Sequence, residues 1–94
     1  MNGIIRATLV IGFSLGMLAP NTVLADGFRN CTKAAKSSWK PASAAEAAAH
    51  TAGYEVRRSK IEGTCYEVYG VKDGKLFELF YSPEDLSLKH IKAK

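Results

Sequence analysis

The sequence of 94 residues has few of the residues from which catalytic and metal sites are built: two cysteines, two histidines and one tryptophan. It contains no glycine-rich phosphate loop, no catalytic triad and no closely spaced pair of cysteines or histidines of the kind that binds zinc. The apolar stretch from Ala7 to Leu18 is shorter than the roughly 20 residues that cross a bilayer. These absences favour a binding function over catalysis.

Two reactive constellations can still be assembled from the few suitable residues. A cysteine nucleophile would need a free Cys65 with His50 or His90 as its base. A zinc site could use Cys31, Cys65, His50 and His90, but these residues lack the paired spacing of zinc motifs. A disulfide with two surface histidines explains the same residues more simply. We therefore predict no catalytic residue, no metal and no cofactor.

The first residues have the three parts of a secretory signal. Arg6 lies in a short start, an apolar stretch follows, and Val23 and Ala25 are the small residues that a signal peptidase requires. We predict a signal peptide over residues 1–25, with cleavage after Ala25 and no stable membrane insertion. The mature chain would then be periplasmic or secreted, where nucleic acid is not an expected partner.

The only two cysteines, Cys31 and Cys65, are predicted to form a disulfide. The mature chain would be a small domain with a thin core, and such domains often need a covalent link. An exported chain also meets an oxidising compartment. Residues 26–40 are mixed and polar, and we expect them to form an N-terminal arm that this disulfide tethers.

The segment "SAAEAAAHTAG" predicts one alanine-rich helix. Ser43 is expected to be the N-cap, with Glu46 as the returning half of a capping box. Gly53 is expected just after the last helical residue. The small alanine side chains would allow this helix to pack closely on a sheet.

Three or four strands are predicted after the helix. Residues 54–61 form a strand that we expect to be bulged toward its end, because Arg57 and its neighbours break the alternation. Residues 65–71 and 75–81 pair as a hairpin around Asp73-Gly74. Residues 86–92 favour a fourth strand, and a helical turn opened by Ser82-Pro83 is the alternative. The predicted fold is α+β: one helix on a three- to four-stranded antiparallel sheet, preceded by the tethered arm.

The Asp73-Gly74 turn also predicts which side chains share a face of the hairpin. Val68 falls opposite Leu79, Tyr66 opposite Tyr81 and Gly70 opposite Phe77, with Gly70 leaving room for the Phe77 ring, and this face should contact the helix. The other face holds Glu67, Tyr69, Glu78 and Phe80. We predict a partner-binding surface there or along an unpaired strand edge, formed by Arg57, Tyr69, Glu78 and Phe80. The alternative is that the tethered arm covers this face.

Several short motifs in this order resemble one known family. They are a tryptophan, Trp39, before the alanine-rich helix, Gly-Tyr-x-Val at 53–56, Tyr-Glu-Val at 66–68, Asp-Gly-Lys at 73–75 and an aromatic strand that ends in a proline turn. From Trp39 to Pro83 the chain resembles the PepSY domain family, in particular its short exported members. Where that family commonly has Asp-Pro-x-Thr-Gly after the third strand, this chain has Ser-Pro-Glu-Asp-Leu.

The resemblance implies a helix packed on an antiparallel sheet and a non-catalytic module, which in some members inhibits or regulates a peptidase. Residues 41–94 would then be a PepSY-like domain. The predicted function is to bind another envelope protein such as a peptidase, with inhibition or regulation as the sharper form. A small-ligand or metal-binding envelope protein is the alternative, and a purely structural component is a third.

Overall fold

The computed structural model describes residues 27–94, so the predicted signal peptide lies outside the described residues. The fold is α+β, as predicted: one helix packs against a four-stranded antiparallel sheet in the order β1-β2-β3-β4. A short 3₁₀ turn over Lys36–Ser38 precedes the helix. The elements are α1 (Ala42–Thr51), β1 (Glu55–Glu62), β2 (Cys65–Lys72), β3 (Lys75–Tyr81) and β4 (Leu88–Ala93).

Helix α1 ends as predicted but begins differently. The N–H of Gly53 donates to the carbonyl of His50 over 2.9 Å, which closes the last turn. At the other end Pro41 is the N-cap residue, without a side-chain hydrogen bond, so the predicted capping box is wrong. The carboxylate of Glu46 instead accepts a hydrogen bond from the Ser59 hydroxyl of β1. The Glu46 side chain is therefore bonded to a residue of β1 and does not cap the start of its own helix.

The helix packs on the sheet through its smallest side chains. Ala45 and Ala49 are fully buried and lie one turn apart on the face that contacts the sheet. With them the core contains Tyr66, Val68, Leu79 and Tyr81, the residues predicted to form the helix-facing side of the hairpin. Because alanine has no bulk beyond Cβ, the helix axis can approach the sheet closely.

The hairpin register is confirmed. Val68 pairs with Leu79 and Tyr69 pairs with Glu78, on opposite faces of the sheet. The space beside Gly70 is filled mainly by Tyr54, since a Cβ at Gly70 would lie 2.9 Å from the Tyr54 Cβ. We predicted that the Phe77 ring would occupy this space, and that prediction is corrected. The Tyr54 and Phe77 rings do meet edge to face, with 5.6 Å between their centres.

Strand β1 contains the predicted bulge, but near its start instead of its end. The register passes from Val56 opposite Gly70 to Arg58 opposite Tyr69, and Arg57 has no paired residue. The extra residue changes which side chains face the helix. Ser59 lies opposite Val68 on the helix side, while Arg58 and Lys60 lie on the other side.

The fourth element is a strand, as favoured over a helical turn, and it begins later than predicted, at Leu88. The preceding turn is closed by the N–H of Leu86, which donates to the Ser82 carbonyl over 2.8 Å. Leu86 has a φ of 62° and occupies the position where the related motif has glycine. Its side chain packs against the core, which offsets part of the cost of this backbone conformation.

The arm is attached to the turn between β1 and β2. The Cys31–Cys65 disulfide is confirmed, with a Cα–Cα distance of 5.0 Å. Beside it, Thr64 N–H donates to the carbonyl of Arg29 over 2.9 Å, and the Thr64 hydroxyl accepts from the N–H of Cys31 over 2.9 Å. Gly63 makes this approach possible, because a Cβ there would overlap the Arg29 carbonyl oxygen and lie 2.7 Å from the Arg29 Cβ.

Replacing Gly63 by alanine is expected to lower the free energy of unfolding by about 2–3 kcal/mol. Gly74 is a matched control, because it also has a positive φ, 75°, but no atom lies within 4 Å of a Cβ placed there. Gly74→Ala should lower the free energy of unfolding by only about 1 kcal/mol, which is the cost of a left-handed backbone conformation for a residue with a Cβ. Urea unfolding of both variants checks this, and equal losses would show that the contact with the arm contributes nothing.

Candidate functional site

The predicted binding residues lie on the outer face of the sheet, the side away from α1. Two rows of side chains cross this face at right angles to the strands. The first row runs from β1 to β4 as Arg58, Tyr69, Glu78 and Lys92, and the second as Lys60, Glu67, Phe80 and His90. Six of these side chains, together with residues of the arm and the side chains of Glu62 and Lys94, line a shallow depression. We call it the outer groove, and its lining residues are Gly27, Arg29, Lys60, Glu62, Glu67, Tyr69, Glu78, Phe80, Lys92 and Lys94.

Two carboxyl groups are buried at the centre of the outer groove. Glu67 is 4% exposed and Glu78 is 6% exposed. Burial raises the pKa of Glu67, and its hydrogen bond with Glu78 raises that pKa further. Burial also acts to raise the pKa of Glu78, but the hydrogen bonds from Lys94 and from Glu67 outweigh it and the pKa is lowered. The two groups therefore differ in proton affinity although they are neighbours.

Lysines compensate both carboxyl groups. Lys94 Nζ lies 2.8 Å from Glu78 Oε2, and Lys60 Nζ lies 3.8 Å from Glu67 Oε1. Lys60 Nζ is also 3.7 Å from Glu62, which accepts from Arg29 Nη1 at 2.5 Å. The acidic groups are thus paired beneath the surface, and the basic side chains, about half exposed, form the rim. The outer groove presents mainly positive charge to a ligand.

Tyr69 is the aromatic residue of the outer groove that the arm leaves uncovered. The guanidinium of Arg58 lies 4.4 Å above the centre of its ring, which is a cation–π contact. Burial, followed by a hydrogen bond with Glu67, raises the pKa of the Tyr69 phenol. Tyr69 is only half buried, so its ring is available at the surface together with the cation that covers it.

The arm covers the other end of this face. Phe28 meets the ring of Phe80 edge to face at 5.6 Å and stacks on the ring of His90 at 4.8 Å. Phe80 is only 2% exposed as a result. Of the two interpretations from the sequence, the covering arm therefore applies to the Phe80 end, and Phe80 is not an exposed contact residue. Tyr69 and Glu78 do lie together in the outer groove.

Arg57 does not occupy the place that was predicted for it. It is the unpaired residue of the β1 bulge, and its guanidinium lies 3.8 Å from Glu55. Without the bulge, the residue after Val56 would lie opposite Tyr69, so the bulge exchanges Arg57 for Arg58. The neighbouring arginine is the one that contacts Tyr69.

Sequence reasoning also missed the basic residues that other elements bring to the rim. Arg29 reaches the outer groove because the disulfide attaches the arm beside β2, and Lys92 and Lys94 reach it through the pairing of β4 with β3. The pattern of β4, Leu-Lys-His-Ile-Lys, contained part of this signal. Its register with β3 was the missing information.

The reactive constellations weighed from the sequence find no support in residues 27–94. Both cysteines are joined in the disulfide, so neither provides a thiol. His90 lies against the ring of Phe28, and His50 is on the exposed side of α1. Within the described residues no three histidine, cysteine, aspartate or glutamate side chains are grouped as metal ligands would be. In the same part of the chain, no helix is long and apolar enough to cross a membrane.

Comparison with known proteins identifies the family. Residues 8–92 match the PepSY family model described as "peptidase propeptide and YPEB domain". The match is longer than the segment from Trp39 to Pro83 in which we found the family motifs, and it includes the arm. Neither the curated proteins nor the solved structures give a match. PepSY domains are generally non-catalytic, propeptide-like modules and are typically extracellular or periplasmic. With nearly its whole length matched and a helix packed on a four-stranded antiparallel sheet, the chain belongs to the PepSY domain family.

Proposed function

We propose that the domain is a non-catalytic binding module of the cell envelope, exported by its leader, and that it binds another protein through the outer groove. One observation carries this proposal. In the row of Arg58, Tyr69, Glu78 and Lys92, the half-buried ring of Tyr69 lies beneath the Arg58 guanidinium, and Lys92 is at the far end of the row. The described part of the chain provides no second layer over that row. Tyrosine and arginine are the residue types enriched at the centres of protein interfaces.

The rim of the outer groove favours an acidic partner. Arg29, Lys60 and Lys94 surround it with side chains that are about half exposed, while the carboxyl groups lie below them. Long-range attraction between this rim and acidic residues would speed encounter and orient the partner. Since the family includes peptidase propeptides, a peptidase of the envelope is the partner that we propose, with inhibition or regulation of its activity as the result.

A photo-crosslinking amino acid on β4 tests this proposal in intact cell envelopes. Position 92 lines the outer groove, whereas position 91 is its neighbour on the helix side of the same strand. A crosslinker at position 92 should give an adduct with a second protein, which mass spectrometry identifies, and the crosslinker at position 91 should not. Tyr69→Ser should reduce the adduct at position 92 because it removes the central ring.

Two further measurements decide how this result is interpreted. Tyr69→Ser should lower the Tm by no more than about 8 °C, since the ring is only half buried. Phe80→Ser is unsuitable, because it would unpack the arm. If position 92 gives no adduct, or if Tyr69→Ser leaves the adduct unchanged, the outer groove is not the binding surface. The peptidase assignment requires that the purified protein reduces the activity of the crosslinked partner.

A further inference from the structure

A second groove, which we call the edge groove, lies between α1 and the edge strand β1. Its helical wall consists of residues spaced as i, i+3, i+4 and i+7, which places them on one side of the helix. The other wall is the chain that leaves the helix and begins β1. The lining residues are Ser43, Glu46, Ala47, His50, Gly53, Tyr54, Glu55 and Val56. None of them lines the outer groove, which is on the opposite face of the sheet.

The strand beside this groove has an open edge. β1 is first in the order of the sheet and pairs only with β2 among the described strands. Its outward N–H and C=O groups can therefore accept an added strand. The bulge at Arg57 and the charged side chains that follow it discourage unspecific pairing. A segment that pairs with β1 must match these charges.

The edge groove is acidic on a chain whose net charge is positive. Glu46 and Glu55 line it, and no lysine or arginine is among its lining residues. The Ser59 hydroxyl donates to Glu46 Oε2, which leaves Oε1 able to accept from a ligand. Glu55 has only the long, exposed contact with Arg57 at 3.8 Å, which contributes little. Glu46 is therefore the carboxylate that can bind a cation in this groove, because the pairing of Glu55 with Val71 places the Glu55 side chain on the outer face of the sheet.

The walls also suit the rest of a long basic side chain. Ala47, Tyr54 and Val56 offer apolar surface along which the methylene groups of lysine or arginine can lie. The protein itself shows such an arrangement nearby. Lys72 Nζ lies 5.0 Å from the centre of the Tyr54 ring and donates to the Ala52 carbonyl over 3.0 Å. The ammonium group of Lys72 therefore already lies against Tyr54 at the C-terminal end of α1.

On the outer face of β1, a partner segment needs acidic side chains, in contrast to the basic side chain that suits the edge groove. Arg58 and Lys60 point to the outer face, and an added strand would place every second side chain beside them. An extended segment with a basic residue turned inward and acidic residues turned outward would match both sides of β1. Charge complementarity thus determines the kind of segment, and the open edge supplies main-chain hydrogen bonds that do not depend on sequence.

We propose that the edge groove binds an extended segment of a partner protein, which adds to β1 and places one lysine or arginine between α1 and β1, with acidic residues beside Arg58 and Lys60. The edge groove is separate from the outer groove, but the acidic residues would lie beside Lys60, which lines the outer groove, and beside Arg58, which covers Tyr69. A partner that engaged both sites would bind more tightly than either site allows.

A capped seven-residue peptide can serve as the probe, with arginine at its centre, glutamate on each side and threonine or valine elsewhere. Amide chemical shifts of the isotope-labelled protein should change in α1 and β1 and remain constant in β4. A peptide with glutamine in place of arginine should bind about tenfold more weakly, because it lacks the charge-assisted hydrogen bonds. Glu46→Gln should weaken the binding of the arginine peptide by a similar factor.

Glu84→Gln is the matched control. Glu84 accepts a hydrogen bond from the Thr32 hydroxyl, as Glu46 does from Ser59, but it lies outside the edge groove. This variant should bind the arginine peptide as the parent does. Equal affinity for the two peptides, unchanged affinity of the Glu46→Gln variant, or shift changes confined to β3 and β4 would each overturn the proposal. The crosslinking result at position 92 would remain valid in every case.

Discussion

A variant with alanine in place of both Cys31 and Cys65 is expected to lose about 4 kcal/mol of unfolding free energy. The two residues are separated by 34 positions, and an open loop of this length gains considerable entropy in the unfolded chain. For a domain this small, such a loss corresponds to a fall in Tm of about 15–30 °C. The bridge also holds Phe28 against Phe80, so the arm should detach before the sheet unfolds.

Thermal unfolding followed by circular dichroism measures this effect. The parent treated with reductant should fall to the Tm of the double variant, and the double variant should not respond to reductant. Phe28→Ala keeps the bridge and removes only the ring of the arm, so it separates the packing of the arm from the loop entropy. A double variant as stable as the parent would refute the structural role of the disulfide.

Leu79→Ala is expected to destabilise the domain by about 3–5 kcal/mol. Leu79 is fully buried on the helix-facing side of the sheet, opposite Val68, and belongs to the same core cluster as Ala45 and Ala49 of α1. Removing its branched end leaves a cavity between the two layers that the single helix cannot close. In a domain with one thin core, this is a large part of the total stability.

Leu76→Ala is the control for this substitution, since Leu76 lies on the same strand but on the outer face and is 36% exposed. The Leu76→Ala variant should lose less than about 1 kcal/mol of unfolding free energy. Urea denaturation of both variants, with m-values equal to that of the parent, gives the comparison. Equal losses would mean that the helix side of β3 is not the core.

The elements predicted well were those with local signals. The Asp73-Gly74 turn determined the pairing of β2 with β3, because a two-residue loop permits only one register. Gly53 ended the helix as expected. The disulfide followed from there being only two cysteines in a small chain that was predicted to be exported. Each of these depends on a few neighbouring residues or on a count.

The failed predictions involve residues whose partners are distant in the chain. Glu46 has a good local partner in a capping box, but the Ser59 hydroxyl of β1 is brought to it by packing and is preferred. Arg57 was assigned to the binding surface because regular alternation was assumed across the strand. The bulge after Val56 placed Arg58 there instead.

The sequence by itself determined the fold class, the helix, the hairpin with its two faces, and the covalent attachment of the arm. The tertiary structure alone decided which basic residues surround Tyr69, where the arm covers the sheet and where α1 leaves a groove beside β1. The physical reason is that side-chain alternation and turn geometry act within a few residues. The position of a bulge, the register of β4 and the path of the arm depend on contacts between segments far apart in the chain.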